Sequence, residues 1–151
     1  MWVFAVIAVM VAALLPSMPR QGDGERGVES GQDSAMAERM AVYRTAVAAW
    51  ARTHPGFEGP VDASSVETPA WWRGHPSLHA TVDGRFVAVY LTGPEAVGVL
   101  DEMLRLSGGS IMVGYASRAT GTLHSPTIGD TGIQVPDGVP DKAPVWLALR
   151  D

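Results

Sequence analysis

Four histidines are the first residues to weigh for chemistry: His54, His75, His79 and His124. His75 and His79 stand at i and i+4, the spacing that lets two imidazoles reach one metal ion from one helical face. Pro76 falls between them, however, and no paired carboxylate accompanies them, so neither a helix nor a metal centre is expected there. His124, Ser125 and Asp130 supply the residue types of a hydrolytic set. No Gly-x-Ser-x-Gly elbow is present, and neighbours on a strand point to opposite faces, so His124 would turn away from Ser125. Asp101 and Glu102 are adjacent and diverge around a helix, which suits a solvated face better than a paired acid and base. Gly108-Gly109-Ser110 follows a helical pattern and has no lysine placed to reach a phosphate, so it is read as a helix stop and strand entry. Cysteine is absent, which removes disulfides, thiolate zinc sites and a thiol nucleophile. No catalytic, cofactor-binding or metal residue is therefore assigned, and no cofactor or small-molecule substrate is expected.

The residue types that stand out instead belong to recognition. Trp71, Trp72 and Arg73 are consecutive, and Trp and Arg are the types enriched where partners bind tightly. One reading has one Trp plugging the core beside a long helix while the other lies on the surface. The sharper reading makes Trp71, Trp72 and Arg73 a partner-binding surface, and these three are the candidate site.

Composition narrows the partners. The 151 residues are 46% hydrophobic and 18% charged, enough apolar content for a core. A net charge of −5, with the 11 basic residues scattered singly, argues against nucleic acid, which needs a basic stripe for its phosphates.

The candidate residues must be held by the elements around them. Residues 33–54 form the clearest amphipathic helix, with Met36, Met40, Tyr43, Val47 and Trp50 on one stripe. Asp33 or Ser34 is expected to cap its start, and Pro55-Gly56 to stop it. Residues 62–66 could form one helical turn. Residues 78–92 read as a hairpin around Asp83-Gly84, whose second strand is apolar on both faces and so central. Residues 94–107 read as a second helix with Val97, Leu100, Met103 and Leu104 inward. Strands are expected over 110–115 and 122–125, loop over 127–140, and an edge strand over 145–149. The sum is an α+β domain of two helices on one face of an antiparallel sheet of about four or five strands.

Residues 2–15 carry no charge, and residues 1–19 are read as a membrane anchor. A signal peptide and a buried core helix compete with that reading. Residues 20–32 hold Gly22, Gly24, Gly27 and Gly31 among charges and read as a flexible spacer. The soluble domain is then 33–151.

An apolar start, a spacer and an Ala-rich helix invite comparison with type IV pilins and pseudopilins. The chain departs from the prepilin pattern at every processing position: it has no basic leader, no acidic residue before Asp23, and prolines at 16 and 19. The order of its pieces instead resembles the small PilM proteins of type IVB, plasmid-type pilus systems. The resemblance is carried by the apolar start, Val42-Tyr43-Arg44-Thr45-Ala46-Val47, Ala51-Arg52, Pro55-Gly56, Pro69-Ala70-Trp71 and Val87-Ala88-Val89-Tyr90. It continues through Gly109-Ser110, Val113-Gly114, Ser125-Pro126, Thr131-Gly132 and the loop at 136–140. It implies a non-enzymatic pilus-biogenesis component held at the inner membrane by a single transmembrane helix. Its domain would lie in the periplasm, where it contacts other pilus-assembly proteins of a conjugative-type system. Two other readings remain: a minor-pilin-like or pseudopilin-like subunit built into the fibre, and a periplasmic hydrolase.

Overall fold

The computed structural model describes residues 21–150, so the proposed anchor at 1–19 lies outside the described residues. Among the described residues no helix is long and apolar enough to cross a membrane.

The first element is helix α1, Gln21–Thr53. It starts earlier than the Asp33 cap read from the sequence, and the glycine-containing stretch read as spacer continues the same helix. Once a helix is nucleated, each added residue gains a backbone hydrogen bond, which offsets the glycine penalty of about 1 kcal/mol apiece. Residues 27–32 of this extension are solvent-exposed. The expected stripe is the buried face: Met36, Met40, Tyr43 and Val47 are buried together with Ala37, Ala48 and Ala51, and Trp50 is half-buried. Asp33 caps nothing at the start of α1. Its carboxylate lies against Gly98, at the entry to the second helix. Burial, followed by the nearby Glu29 and Glu102, pushes it above the usual carboxylate range.

The strands are β1 (Gly59–Pro60), β2 (Leu78–Asp83), β3 (Phe86–Leu91), β4 (Val113–Ser117), β5 (Thr122–Ser125), β6 (Gly129–Gln134) and β7 (Pro144–Leu149). They form one antiparallel sheet in the order β1-β2-β3-β7-β4-β5-β6. The second helix, α2, runs Val99–Leu106 after a 3-10 turn at Pro94–Ala96. The turn expected at 62–66 is present over Ala63–Ser65, and the Asp62 side chain accepts the Ser64 N–H at 2.9 Å.

Five features of the sheet and of α2 differ from the sequence reading. The sheet has seven strands because β1, of two residues, and β6, of six, add backbone-paired edges that hydrophobic pattern does not mark. β6 falls where the sequence reads as loop, since Gly129, Asp130, Thr131 and Gly132 carry little strand propensity, yet it pairs with β5. β7 is the fourth of seven strands rather than an edge, paired on one side with β3 and on the other with β4. Its residues are buried on both faces from Pro144 to Ala148, the same signature that marks β3 as internal. The hairpin loop is Gly84-Arg85 rather than Asp83-Gly84, because Asp83 pairs with Phe86 and Gly84 supplies the positive φ of 55° that the tight turn needs. Val97, read as inward, is 81% exposed where Gly98 separates the 3-10 turn from α2.

Both helices cover one face. That core joins α1 to Val82, Val87, Val89, Leu91, Val113, Trp146 and Ala148 of the sheet and to Val99 and Met103 of α2. The other face has its own cluster, with Ala88, Leu123, Val145 and Leu147 covered by Val139 and Ala143 of the 135–143 loop. α2 ends as the sequence implies: the Gly109 N–H donates to Leu104 O at 2.8 Å and the Gly108 N–H to Arg105 O at 3.3 Å, a paired C-terminal cap.

Arg150 ties the end of α1 to the β2–β3 hairpin. Its guanidinium donates to His54 O at 2.6 Å, Gly84 O at 3.1 Å, Glu58 Oε1 at 3.2 Å and Ala51 O at 3.4 Å. Glu58 in turn accepts the Gly84 N–H at 2.9 Å. A cation at the last carbonyls of a helix also meets the negative end of its dipole. Arg150→Ala is expected to lower stability by about 2 kcal/mol, because three carbonyls and a carboxylate lose their donor together. Urea unfolding checks this, and a midpoint equal to that of the parent protein would mean that water replaces the guanidinium without loss.

Candidate functional site

Trp71, Trp72 and Arg73 follow a turn in which the Trp72 N–H bonds to Pro69 O at 2.8 Å. The two indoles on that turn differ sharply in burial. Trp72 is 8% exposed and stacks on Tyr43 of α1, with ring centroids 5.1 Å apart and planes at 21°. Its Nε1–H donates to Arg39 O at 3.2 Å, so the polar edge of the buried ring is satisfied. Trp71 is 68% exposed. Arg73 is exposed, and its Nη1 donates to Ala70 O at 2.8 Å and Trp72 O at 3.3 Å, which braces the turn from outside. Of the three candidates, Trp72 packs in the core and anchors the segment to α1, while Trp71 and Arg73 present outward.

Trp71 and Arg73 form one side of an open groove of about 610 Å³. α1 supplies another side through Ala35, Glu38, Arg39, Val42 and Thr45, Leu106 closes it at the end of α2, and Trp146 of β7 also lines it. Arg44 lies between helix and sheet. Its Nε donates to Leu147 O at 2.8 Å, and its guanidinium carbon sits 5.4 Å from the Trp146 ring centroid. Leu147 lies past the last β4 residue paired with β7, so its carbonyl is open to a side-chain donor. Burial lowers the pKa of Arg44 from its ordinary value without removing its charge. Tyr43, the stacking partner of Trp72, is held neutral: burial first, and Asp62 second, push its hydroxyl up to about 12.

The sequence points to the Trp71–Arg73 side of this groove and misses the rest. Arg39 and Arg44 flank the buried stripe of α1, but nothing local marks them as facing a shared cavity. Trp146 is more than seventy residues downstream of Trp71 and joins the lining only through its strand's position in the sheet.

The residues weighed for chemistry do not converge. His75 lies in a loop and His79 on β2, where its Nε2 is 3.2 Å from Thr92 Oγ1. Among the described residues no group of His, Asp and Glu is placed to hold a metal ion. Asp130 accepts from the Thr122 hydroxyl at 2.6 Å and from the Gly132 N–H at 3.0 Å. Those bonds, with a smaller contribution from His124, hold it below the usual carboxylate range. The His124 ring rests on Tyr115, centroids 4.9 Å apart, while Ser125 is buried and its Oγ accepts the Thr127 N–H at 3.3 Å. Asp101 is exposed, and Glu102 is paired to Arg105 at 2.8 Å.

A family model described as PilM matches residues 5–147. The crystal structure of a PilM protein from Escherichia coli B7A is similar, with 19% identity, a TM-score of 0.53, and coverage of 89% of this chain and 100% of that one. A PilM protein from Pseudomonas aeruginosa 2192 aligns at 25% identity over 78% of this chain and 94% of that one, with a TM-score of 0.47. No curated protein matches the chain.

Proposed function

The chain belongs to the PilM family, and from that premise we propose that it is a non-enzymatic assembly component of a type IVB pilus machine. It acts by contact with other pilus-assembly proteins. The observation that carries this reading is the arrangement at Trp71 to Arg73: a large aromatic side chain held 68% exposed, beside an arginine, at the mouth of an open groove and on a segment pinned to the core through Trp72. A pre-ordered aromatic and arginine cost little entropy when a partner covers them. Residues 1–19 tether the protein to the inner membrane, and the exposed start of α1 extends the domain from that tether into the periplasm.

Cell fractionation with an antibody to this protein tests the reading. Full-length protein in the inner membrane, together with loss of pili when Trp71→Ala is the only variant present at normal level, is the expected result. Recovery in sheared pili would make it a fibre subunit instead. A shortened soluble form would remove the tether, and normal piliation with Trp71→Ala would remove the partner surface.

A further inference from the structure

We propose that the groove between α1 and the Trp71–Arg73 segment takes a stretch of partner polypeptide that presents a carboxylate beside a large apolar side chain. This deepens the assembly reading and rests on it.

The charge of the groove runs against that of the protein. The chain carries a net charge of −5, yet Arg39, Arg44 and Arg73 meet in this lining with Glu38 as its one acid. Among the described residues Arg39 makes no ion pair, and neither do Arg44 and Arg73. Among the described residues Arg44 spends its Nε on Leu147 O and has no protein acceptor for its two Nη nitrogens. A guanidinium in that state presents a planar fork, and a carboxylate is the group that matches it in shape and charge. Its environment strengthens the match, since water around the half-buried Arg44 is already reduced and the Trp146 ring lies beneath it. The remaining lining is apolar or small: Leu106, Val42, Ala41 and the faces of Trp71 and Trp146. The site therefore asks for one anionic group and one apolar group at side-chain separation.

An anionic membrane surface offers phosphate to the same arginines, but the surroundings disfavour it. Glu29, Asp33 and Glu95 line a neighbouring cleft on the N-terminal side of the groove along α1. A flat anionic surface would meet those acids as it met the arginines, whereas a narrow polypeptide can enter the groove and avoid them.

The test titrates purified full-length protein with two blocked dipeptides, N-acetyl-Phe-Asp-amide and N-acetyl-Phe-Asn-amide, which differ in one charge. The five Trp indole N–H resonances are followed by NMR and assigned through single Trp→Phe variants. The aspartyl peptide is expected to shift Trp71 and Trp146 saturably and leave Trp50 unmoved. The asparaginyl peptide should bind about tenfold more weakly. Arg39→Gln, whose side chain makes no hydrogen bond among the described residues, should weaken the aspartyl peptide several-fold without moving the urea midpoint. Equal binding of the two peptides, or no shift of Trp71 and Trp146 at millimolar peptide, overturns the proposal. So does an equal response to glycerol 1-phosphate, which would assign the arginines to phosphate and a lipid headgroup. The titration contains no pilus component, so its failure overturns the carboxylate-and-apolar ligand alone and leaves the piliation result of Trp71→Ala standing, whereas normal piliation removes the partner surface itself.

Discussion

Trp72→Ala is expected to destabilise the domain by about 3–5 kcal/mol, whereas Trp71→Ala changes stability by less than about 0.5 kcal/mol. The two residues are adjacent and chemically identical, so composition and local propensity cannot separate them. Burial does: 8% of Trp72 is exposed and 68% of Trp71. Removing the Trp72 ring vacates the space over Tyr43, the largest of the fully buried side chains, and deletes the indole bond to Arg39 O. A ring of this size leaves a large cavity against α1, which places the cost at the high end for a large-to-small change. Truncating Trp71 removes a ring already in water. Urea unfolding of both variants checks the pair. Similar large losses in the two would show that Trp71 is also core and would end the case for a partner surface there.

Gly114→Ala is expected to cost about 3 kcal/mol. Gly114 is buried on β4, opposite Val145 of β7, and a Cβ built there would sit inside contact distance of the His124 carbonyl oxygen. It would also lie 2.9 Å from the His124 carbonyl carbon and 3.1 Å from Leu123 Cγ. The obstacle is backbone, which cannot swing aside like the tip of a flexible side chain, so β4 and β5 would have to separate. Gly56→Ala is the control, since a Cβ there meets nothing within 4 Å and its φ is not positive. Thermal melts of the two variants should differ by many degrees. Melts that coincide would mean that β4 and β5 do not approach as closely as the structure has them.

Trp72 and Gly114 also mark the boundary between local and non-local information. The stripe from Met36 to Val47 was legible because helical periodicity is a local property, and the residues it selects are buried as a set. The internal place of β3 was legible because apolar residues on both faces leave a strand nowhere else to go. β7 shows the same pattern, but its position at the end of the chain suggested an edge. Its pairing with β3 and β4 reaches across some sixty and thirty residues, and no local signal encodes that. β6 escaped because Gly129, Asp130, Thr131 and Gly132 are turn-forming types whose strand exists only through the ladder with β5. Arg150 escaped for a related reason: its acceptors at 51, 54, 58 and 84 are brought together only by the closed fold.

The amino-acid sequence by itself determined the family, the α+β class, the buried face of α1, the hairpin, and the residue types of the candidate surface. All of these rest on short-range patterns or on the order of short motifs along the chain. Only the tertiary structure decided which tryptophan is core and which is exposed, and that Arg39, Arg44 and Trp146 join Trp71 and Arg73 around one groove. Those outcomes depend on which strand lies beside which, and strand order is set by burying two apolar faces at once, a condition on the whole chain rather than on any part of it.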